Sequence, residues 1–253
     1  MSILGTKEWM PHNENCMRGC QNDCRYCYGK LRAIRYKQKT AENWHVMEPN
    51  KRFLKPIRYL DGGVMFPTTH DLHIEHVDTW MPFLRGLLER GNDVLIVSKP
   101  QYKAIEKICT ELNEFSDQIE FRFTIGTNDE DTRGFWEPNA PMIGERLGCL
   151  SLAYEEDCKT SVSMEPLLMK DPAPFIKNFE RWVTGDIWIG RMNYLNIKDF
   201  KTAGELAWYT KQEAINCKPN MQRVYESLKD NPKIRWKDSV QDLLGITQTG
   251  ERK

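Results

Sequence analysis

The sequence predicts an α/β protein with a parallel sheet, and three observations carry that reading. Short β-type runs alternate with amphipathic helical stretches along most of the chain. One run, residues 93–98 (DVLIVS), is almost continuously apolar, as strands buried on both faces of a parallel sheet are. And 253 residues, 40% of them hydrophobic, suffice for one large core. Successive βα units return the chain to the same edge of a sheet, which makes the sheet parallel. Such a sheet is either open and doubly wound or curled into a partial barrel, whose site would sit at the C-terminal ends of the strands.

Taken in order, residues 7–10 (KEWM) form the first short run and 62–66 (GGVMF) the second. An amphipathic helix is predicted over 78–91, with Gly91 as its stop. The apolar strand 93–98 follows, then a helix over 101–115 with Ile105, Ile108, Cys109 and Leu112 on one face. Residues 119–125 (IEFRFTI) are the fourth strand and 141–156 the next helix. Residues 159–164 (KTSVSM) are the fifth strand, 173–183 its helix and 186–190 (DIWIG) the sixth strand. From about Asn196 the chain reads as mainly helical, with a short β-like stretch at 233–236 (KIRW) before a final helix. The expected division is 1–195 for the sheet and its helices and 196–253 for a helical extension packed on it.

Lys plus Arg balance Asp plus Glu at 36 each, so no global field draws the chain to nucleic acid or membrane. Residues 30–39 (KLRAIRYKQK) nevertheless carry five basic residues and no acidic one, a solvated helix face or a phosphate-binding patch. No apolar run approaches the roughly 20 residues that cross a bilayer. The first residues lack the basic-then-apolar pattern of a secretory leader, and a cytoplasmic location is expected.

Eight cysteines in such a protein are not expected to pair as disulfides. Four of them, Cys16, Cys20, Cys24 and Cys27, crowd into twelve residues. Cys20, Cys24 and Cys27 have the spacing C-x3-C-x2-C, with Tyr26 directly before the third. Three thiolates from one loop can ligate three irons of a cubane and leave the fourth iron open to another ligand, unlike the all-cysteine clusters of electron carriers. A structural zinc site would want a second ligand pair, which the scattered Cys109, Cys149, Cys158 and Cys217 do not supply. Cys16 is read as a bystander.

The segment GCQNDCRYCYGKLRA resembles the cluster loop of the radical S-adenosylmethionine (SAM) superfamily, and more narrowly the branch around spore photoproduct lyase. FPTTHD (66–71), VLIVSK (94–99) and the stretch from WEPNAP to SMEPLL (136–168) are similar to later segments of that branch, so the resemblance covers about residues 6–195. It implies a partial (β/α)6 barrel of TIM type with the helical extension appended. It also implies a [4Fe–4S] cluster on Cys20, Cys24 and Cys27, with SAM bound at the open iron. One-electron reduction, from a flavodoxin or ferredoxin type of donor, then cleaves SAM to methionine and a 5′-deoxyadenosyl radical that abstracts a substrate hydrogen.

Further roles follow by position. Lys99, directly after a buried strand, would neutralise the SAM carboxylate. Thr68 and Thr69 would accept from its amino group or ribose, Thr124 would meet the ribose, and Tyr26 and Tyr28 would pack beside cluster or adenine. Toward the substrate, His70, Glu165, Arg191 and Asn193 follow strand ends and suggest a polar substrate. His70, His73 and His76 share no single helix or strand face, which argues against a second metal. Two departures stand out. No GGE motif closes the second strand, and no cysteine lies between Cys27 and Cys109 to act as the hydrogen donor of spore photoproduct lyase, which argues against lesion repair by that route. The substrate class stays open between nucleic acid or nucleotide, peptide and small molecule. The alternative from another class is a non-catalytic iron–sulfur module that senses redox state.

Overall fold

The computed structural model describes residues 5–195 and 202–247. Its main sheet has seven strands, β1 (His12–Asn13), β4 (Val64–Met65), β5 (Val94–Ser98), β6 (Ile119–Thr124), β7 (Lys159–Met164), β8 (Ile187–Ile189) and β9 (Ile234–Trp236). They lie in chain order, each parallel to the next. Two further strands, β2 (Met17–Arg18) and β3 (Glu48–Pro49), form a separate antiparallel pair beside the cysteine loop. The edges of the main sheet curl toward each other. Lys237, just after β9 at one edge, donates to the carbonyl of Gly5 at 3.2 Å and pairs with Glu8, in the turn before β1 at the other. The architecture is the expected partial barrel.

Helices α2 (Val77–Glu89), α3 (Tyr102–Glu111), α5 (Ile143–Glu155) and α6 (Ala173–Phe179) pack their apolar faces on the outside of the sheet. The alternation within IEFRFT shows why the sheet has two unlike faces. Phe121 and Phe123 join the outer apolar core with no exposed surface, whereas Glu120, Arg122 and Thr124 point the other way. Inside the barrel, Arg122 Nε donates to Ser161 of β7 at 2.9 Å and its Nη2 to Glu120 at 2.7 Å. Its guanidinium lies over the rings of Trp9 (4.8 Å) and Trp188 (5.4 Å), a plug of stacked cation and indoles across the interior.

The structure departs from the sequence reading at three places. Residues 7–10 are not a strand. Gly5–Glu8 form a 3₁₀ turn in which Trp9 and Met10 both donate to the Thr6 carbonyl, and the first strand comes at His12. A helix, α4 (Glu130–Trp136), stands where a loop is expected, its N-terminus capped by Asp129, which accepts from the Asp131 amide. And the β-like 233–236 is a seventh strand of the barrel rather than a local feature of the extension. The remaining helices are α1 (Tyr28–Arg35), α7 (Ala203–Asn216), α8 (Lys218–Leu228) and α9 (Asp238–Leu244). Thr202 and Glu205 open α7 with a Ser/Thr-x-x-Glu capping pattern, the threonine hydroxyl accepting from the Glu205 amide at 3.2 Å. No described helix is long and apolar enough to cross a membrane.

Candidate functional site

A cavity of about 400 Å³ opens at the C-terminal ends of the strands. Cys20, Cys24 and Cys27 line it, and none of the other five cysteines does. Cys16 sits in the apolar core without exposed surface, its thiol pushed up to about 12 by burial.

The cysteine loop is held by chemistry on both flanks. Gly19 has a φ of +89°, and a Cβ there would lie 2.3 Å from the Val46 carbonyl oxygen. Only glycine lets the loop approach closely enough for the Cys20 amide to donate to the Trp44 carbonyl at 3.0 Å. On the other flank, Arg25 donates through its amide to Trp136 and through Nε to Phe135, and Asn139 donates to the Gln21 carbonyl. Arg25 also pairs with Glu205 of α7 at 2.9 Å. The Cys27 sulfur caps α1, accepting from the Lys30 amide at 3.4 Å.

Asp71 is the hub that ties this loop to the barrel. Oδ1 accepts from the Ser98 hydroxyl (2.8 Å) and the Lys99 amide (2.6 Å), and Oδ2 from Asn22 (2.7 Å) and the Cys20 thiol (3.6 Å). Burial alone would raise its carboxyl, but Lys99 and these donors hold it below the usual range. Lys99 is half-buried, forms no ion pair with a described residue, and sits 5.6 Å from the ring centroid of Tyr26. Burial opposes its charge, yet Cys24, Asp71 and Glu137 outweigh it and push its ammonium up.

Tyr26 donates to Glu137, and Glu137 pairs with Arg146 at 2.5 Å, both side chains only 1% exposed. Arg146 spends its remaining donors on the carbonyls of Thr124 and Pro141, so this buried pair braces the end of β6 against the cysteine loop. Thr68 and Thr69 are set by Asn15. Its Oδ1 accepts from both threonine amides at 2.8 Å and from the Thr69 hydroxyl at 3.0 Å, while its Nδ2 donates to the Thr68 hydroxyl at 2.7 Å. Thr68 thus keeps a hydroxyl proton to give, and Thr69 keeps lone pairs to accept. Thr124, on the inner face of β6, completes this side of the wall.

His70, Glu165 and Arg191 also line the cavity, but in different states. The Met17 amide can only donate, so His70 Nε2 accepts it at 3.3 Å and Nδ1 donates to the Asp71 carbonyl at 3.1 Å. Both nitrogens are used, and burial pushes the imidazole down to about 4, so His70 is a neutral strut. Arg191 turns its guanidinium to the carbonyls of Asn216 and Ser239. Glu165 keeps its carboxylate in the wall beside Lys237 and Asn193.

In the basic stretch 30–39, Lys30 pairs with Asp23, and Lys39 is buried against Glu48 and the Val46 carbonyl. Of the five basic residues, only Arg32, Arg35 and Lys37 are exposed. Lys237 lines the cavity, and Asn15 and Glu8 stand behind its wall, without having been singled out in the sequence; Asp71, which lines it, and Glu137, which backs it, enter only inside longer matched segments.

Burial pushes the thiols of Cys20, Cys24 and Cys27 up, so bare thiolates are disfavoured there and a cationic cluster would compensate them. Among the described residues, no three His, Cys, Asp or Glu side chains converge on one ion. Three thiols spaced along one wall instead fit a cluster in which each takes a separate iron. The donor set therefore fits.

Two solved structures resemble this chain. One, of a cysteine-to-serine mutant of spore photoproduct lyase, has a TM-score of 0.58 at 13% identity over 93% of this chain and 78% of that one. The other, of a double mutant of the same lyase with bound AdoMet and dinucleoside spore photoproduct, has a TM-score of 0.52 at 13% identity over 88% and 75%. No family model and no curated protein matches the sequence. The shared property is the fold, and it is the fold that the cysteine loop's resemblance implied.

Proposed function

We propose that the chain is a radical SAM enzyme of the spore photoproduct lyase type, with Cys20, Cys24 and Cys27 holding a [4Fe–4S] cluster and SAM occupying the adjoining cavity. The carrying observation is that three of eight cysteines, those spaced C-x3-C-x2-C, open onto the same cavity as Lys99, Thr68, Thr69 and Thr124. When bound, the reduced cluster supplies one electron that cleaves SAM to methionine and a 5′-deoxyadenosyl radical. The AdoMet bound in the second neighbour supports this use of the fold.

The chain's own residues bind and orient. The Lys99 ammonium meets the SAM carboxylate in a charge-assisted contact, and Asp71 fixes the backbone from which it projects. Thr69 accepts from the SAM amino group and Thr68 donates to an oxygen, roles set by their opposite bonds to Asn15. Thr124 contacts the ribose, and Tyr26, locked by Glu137, forms a wall beneath. Of the two parts, 1–195 and 196–253, the first supplies β1 and β4 to β8 of the main sheet, and the second adds β9 to the barrel together with the helices α7, α8 and α9. The setting is a reducing cytoplasm with a one-electron donor of flavodoxin or ferredoxin type.

Anaerobic reconstitution tests the reading. About four irons per chain and formation of 5′-deoxyadenosine on reduction with SAM are expected. A cluster that forms but never cleaves SAM would leave the redox-sensing module instead.

A further inference from the structure

The β7–β9 side of the cavity is built from four separate segments. Glu165 follows β7, Arg191 and Asn193 follow β8, Lys237 follows β9, and Trp9 comes from the turn before β1; Glu8 and Asp238, neighbours of Trp9 and Lys237 in the chain, stand behind this lining. Lys237 is only 3% exposed along its side chain. Its ammonium touches Glu8, donates to the Gly5 carbonyl at 3.2 Å, lies 3.6 Å from Glu165 Oε2 and sits 4.2 Å over Trp9. That charge is fully used and has nothing left for an anion.

Glu165 is the reverse case. One oxygen accepts from Asn193 at 3.2 Å and the other faces Lys237, which leaves lone pairs of both toward the cavity. A Cβ at residue 190 would lie 2.8 Å from Glu165 Cγ and 2.9 Å from Lys237 Cγ, so glycine there is what lets the two side chains meet. Two carboxylates, Glu8 and Glu165, thus share the Lys237 ammonium, Asp238 adds its negative charge nearby, and Arg191 directs its donors to backbone carbonyls. Consistent with that excess, burial and then neighbouring Asp238 raise Glu165, and burial raises Glu8 to about 7, each against the opposing pull of Lys237. A phosphate here would face carboxylates. A nitrogen cation would supply the missing charge.

We propose that Glu165, positioned by Lys237, binds a protonated amine or guanidinium of the substrate. The proposal rests on the radical SAM reading only in naming this side as the substrate's; the binding itself needs no reduction.

The test uses anaerobically reconstituted protein and equilibrium dialysis with 1,5-diaminopentane, with the N-acetyl amide of lysine as a peptide-like arm and 1,5-pentanediol as the uncharged control. Saturable binding of at least one amine is expected, with the diol at least tenfold weaker. Glu165→Gln should weaken the amine tenfold or more. Preference between the two amines tells a free polyamine-like substrate from a peptide side chain. Should Glu165→Gln not fold, the wild-type pH series decides: affinity should fall from pH 8 to pH 6 as Glu8, raised to about 7, takes up a proton and leaves the Lys237 ammonium to Glu165. Equal binding of amine and diol, a flat pH series, or an unaffected Glu165→Gln protein overturns the proposal, as does failure of both amines. Amine binding without SAM cleavage would sink the radical SAM reading and leave this site standing. SAM cleavage without amine binding would do the opposite.

Discussion

The two sides of the cavity are electrostatic mirror images. On the β4–β5 side, the buried Asp71 carboxylate is saturated by four donors and holds the backbone of Lys99, a cation without an ion partner among the described residues. On the β7–β9 side, the buried Lys237 ammonium is saturated and holds Glu165, a carboxylate with acceptor capacity to spare. In each case one charge is sacrificed to structure so that its opposite is presented to a ligand at low cost in reorganisation. The difference teaches what each side can take: a carboxylate at Lys99 and a cation at Glu165.

The largest expected effect breaks the comparison altogether. Alanine at Cys20, Cys24 or Cys27 should abolish bound iron, while Cys16→Ala, in the apolar core, should keep most of it. Iron and sulfide analysis after anaerobic reconstitution reads this, and loss of iron in the Cys16 variant alone would reassign the ligands.

Next is the brace beneath the cysteine side. Arg146→Leu leaves Glu137 charged, buried and unpaired, and should cost about 3–5 kcal/mol. For a chain of this length that is a drop of roughly 10 °C in Tm. A melting temperature within a degree or two of wild type would show that Tyr26 alone carries the carboxylate.

Lys99→Ala sharpens the mirror without breaking the fold. Removing a charge-assisted contact of about 1.5–3 kcal/mol should weaken SAM binding by roughly 10- to 100-fold. The iron content should stay unchanged. Unaltered affinity would move the SAM carboxylate elsewhere.

How much of this was legible in the sequence depends on how local each pattern is. The C-x3-C-x2-C spacing lies within eight residues and needs no tertiary knowledge. Lys99 is visible because a lysine directly after a continuous apolar strand must emerge at the rim. Lys237 follows residues 233–236 in the same way, yet the surrounding helices hide that short stretch, and only its pairing with β8 makes it a rim position. Asp71 lies inside a readable turn, but its weight comes from four partners on two distant segments, which no local pattern encodes. Asn15 and Glu8 have no sequence signature at all. His70 shows the opposite limit: a histidine at a rim suggests proton transfer, while its two fixed hydrogen bonds make it a strut.

The smallest effect is a pH dependence in which the two sides oppose each other. His70, buried and neutral, has its pKa lowered from 6.5 to about 4. Its contribution to stability is present above pH 6.5, where folded and unfolded imidazoles are both neutral. It is lost as pH falls toward 4, because the unfolded chain binds the proton first. Glu8 has its pKa raised from 4.5 to about 7, so its contribution is present below pH 4.5 and is lost as pH rises through about 7. Across pH 4.5–7 the slopes have opposite signs, each worth about 1–2 kcal/mol after screening, and they largely cancel in wild type. Single variants separate them. Glu8→Gln should leave the His70 slope alone, so that Tm climbs with pH across this window. His70→Gln, whose amide can still donate and accept, should leave the Glu8 slope, so that Tm falls with pH. Melting curves at half-unit steps would read both. Parallel rather than crossing deviations from wild type would mean that one of these groups titrates as it does in water, and that its side of the cavity is wetter than its neighbours make it.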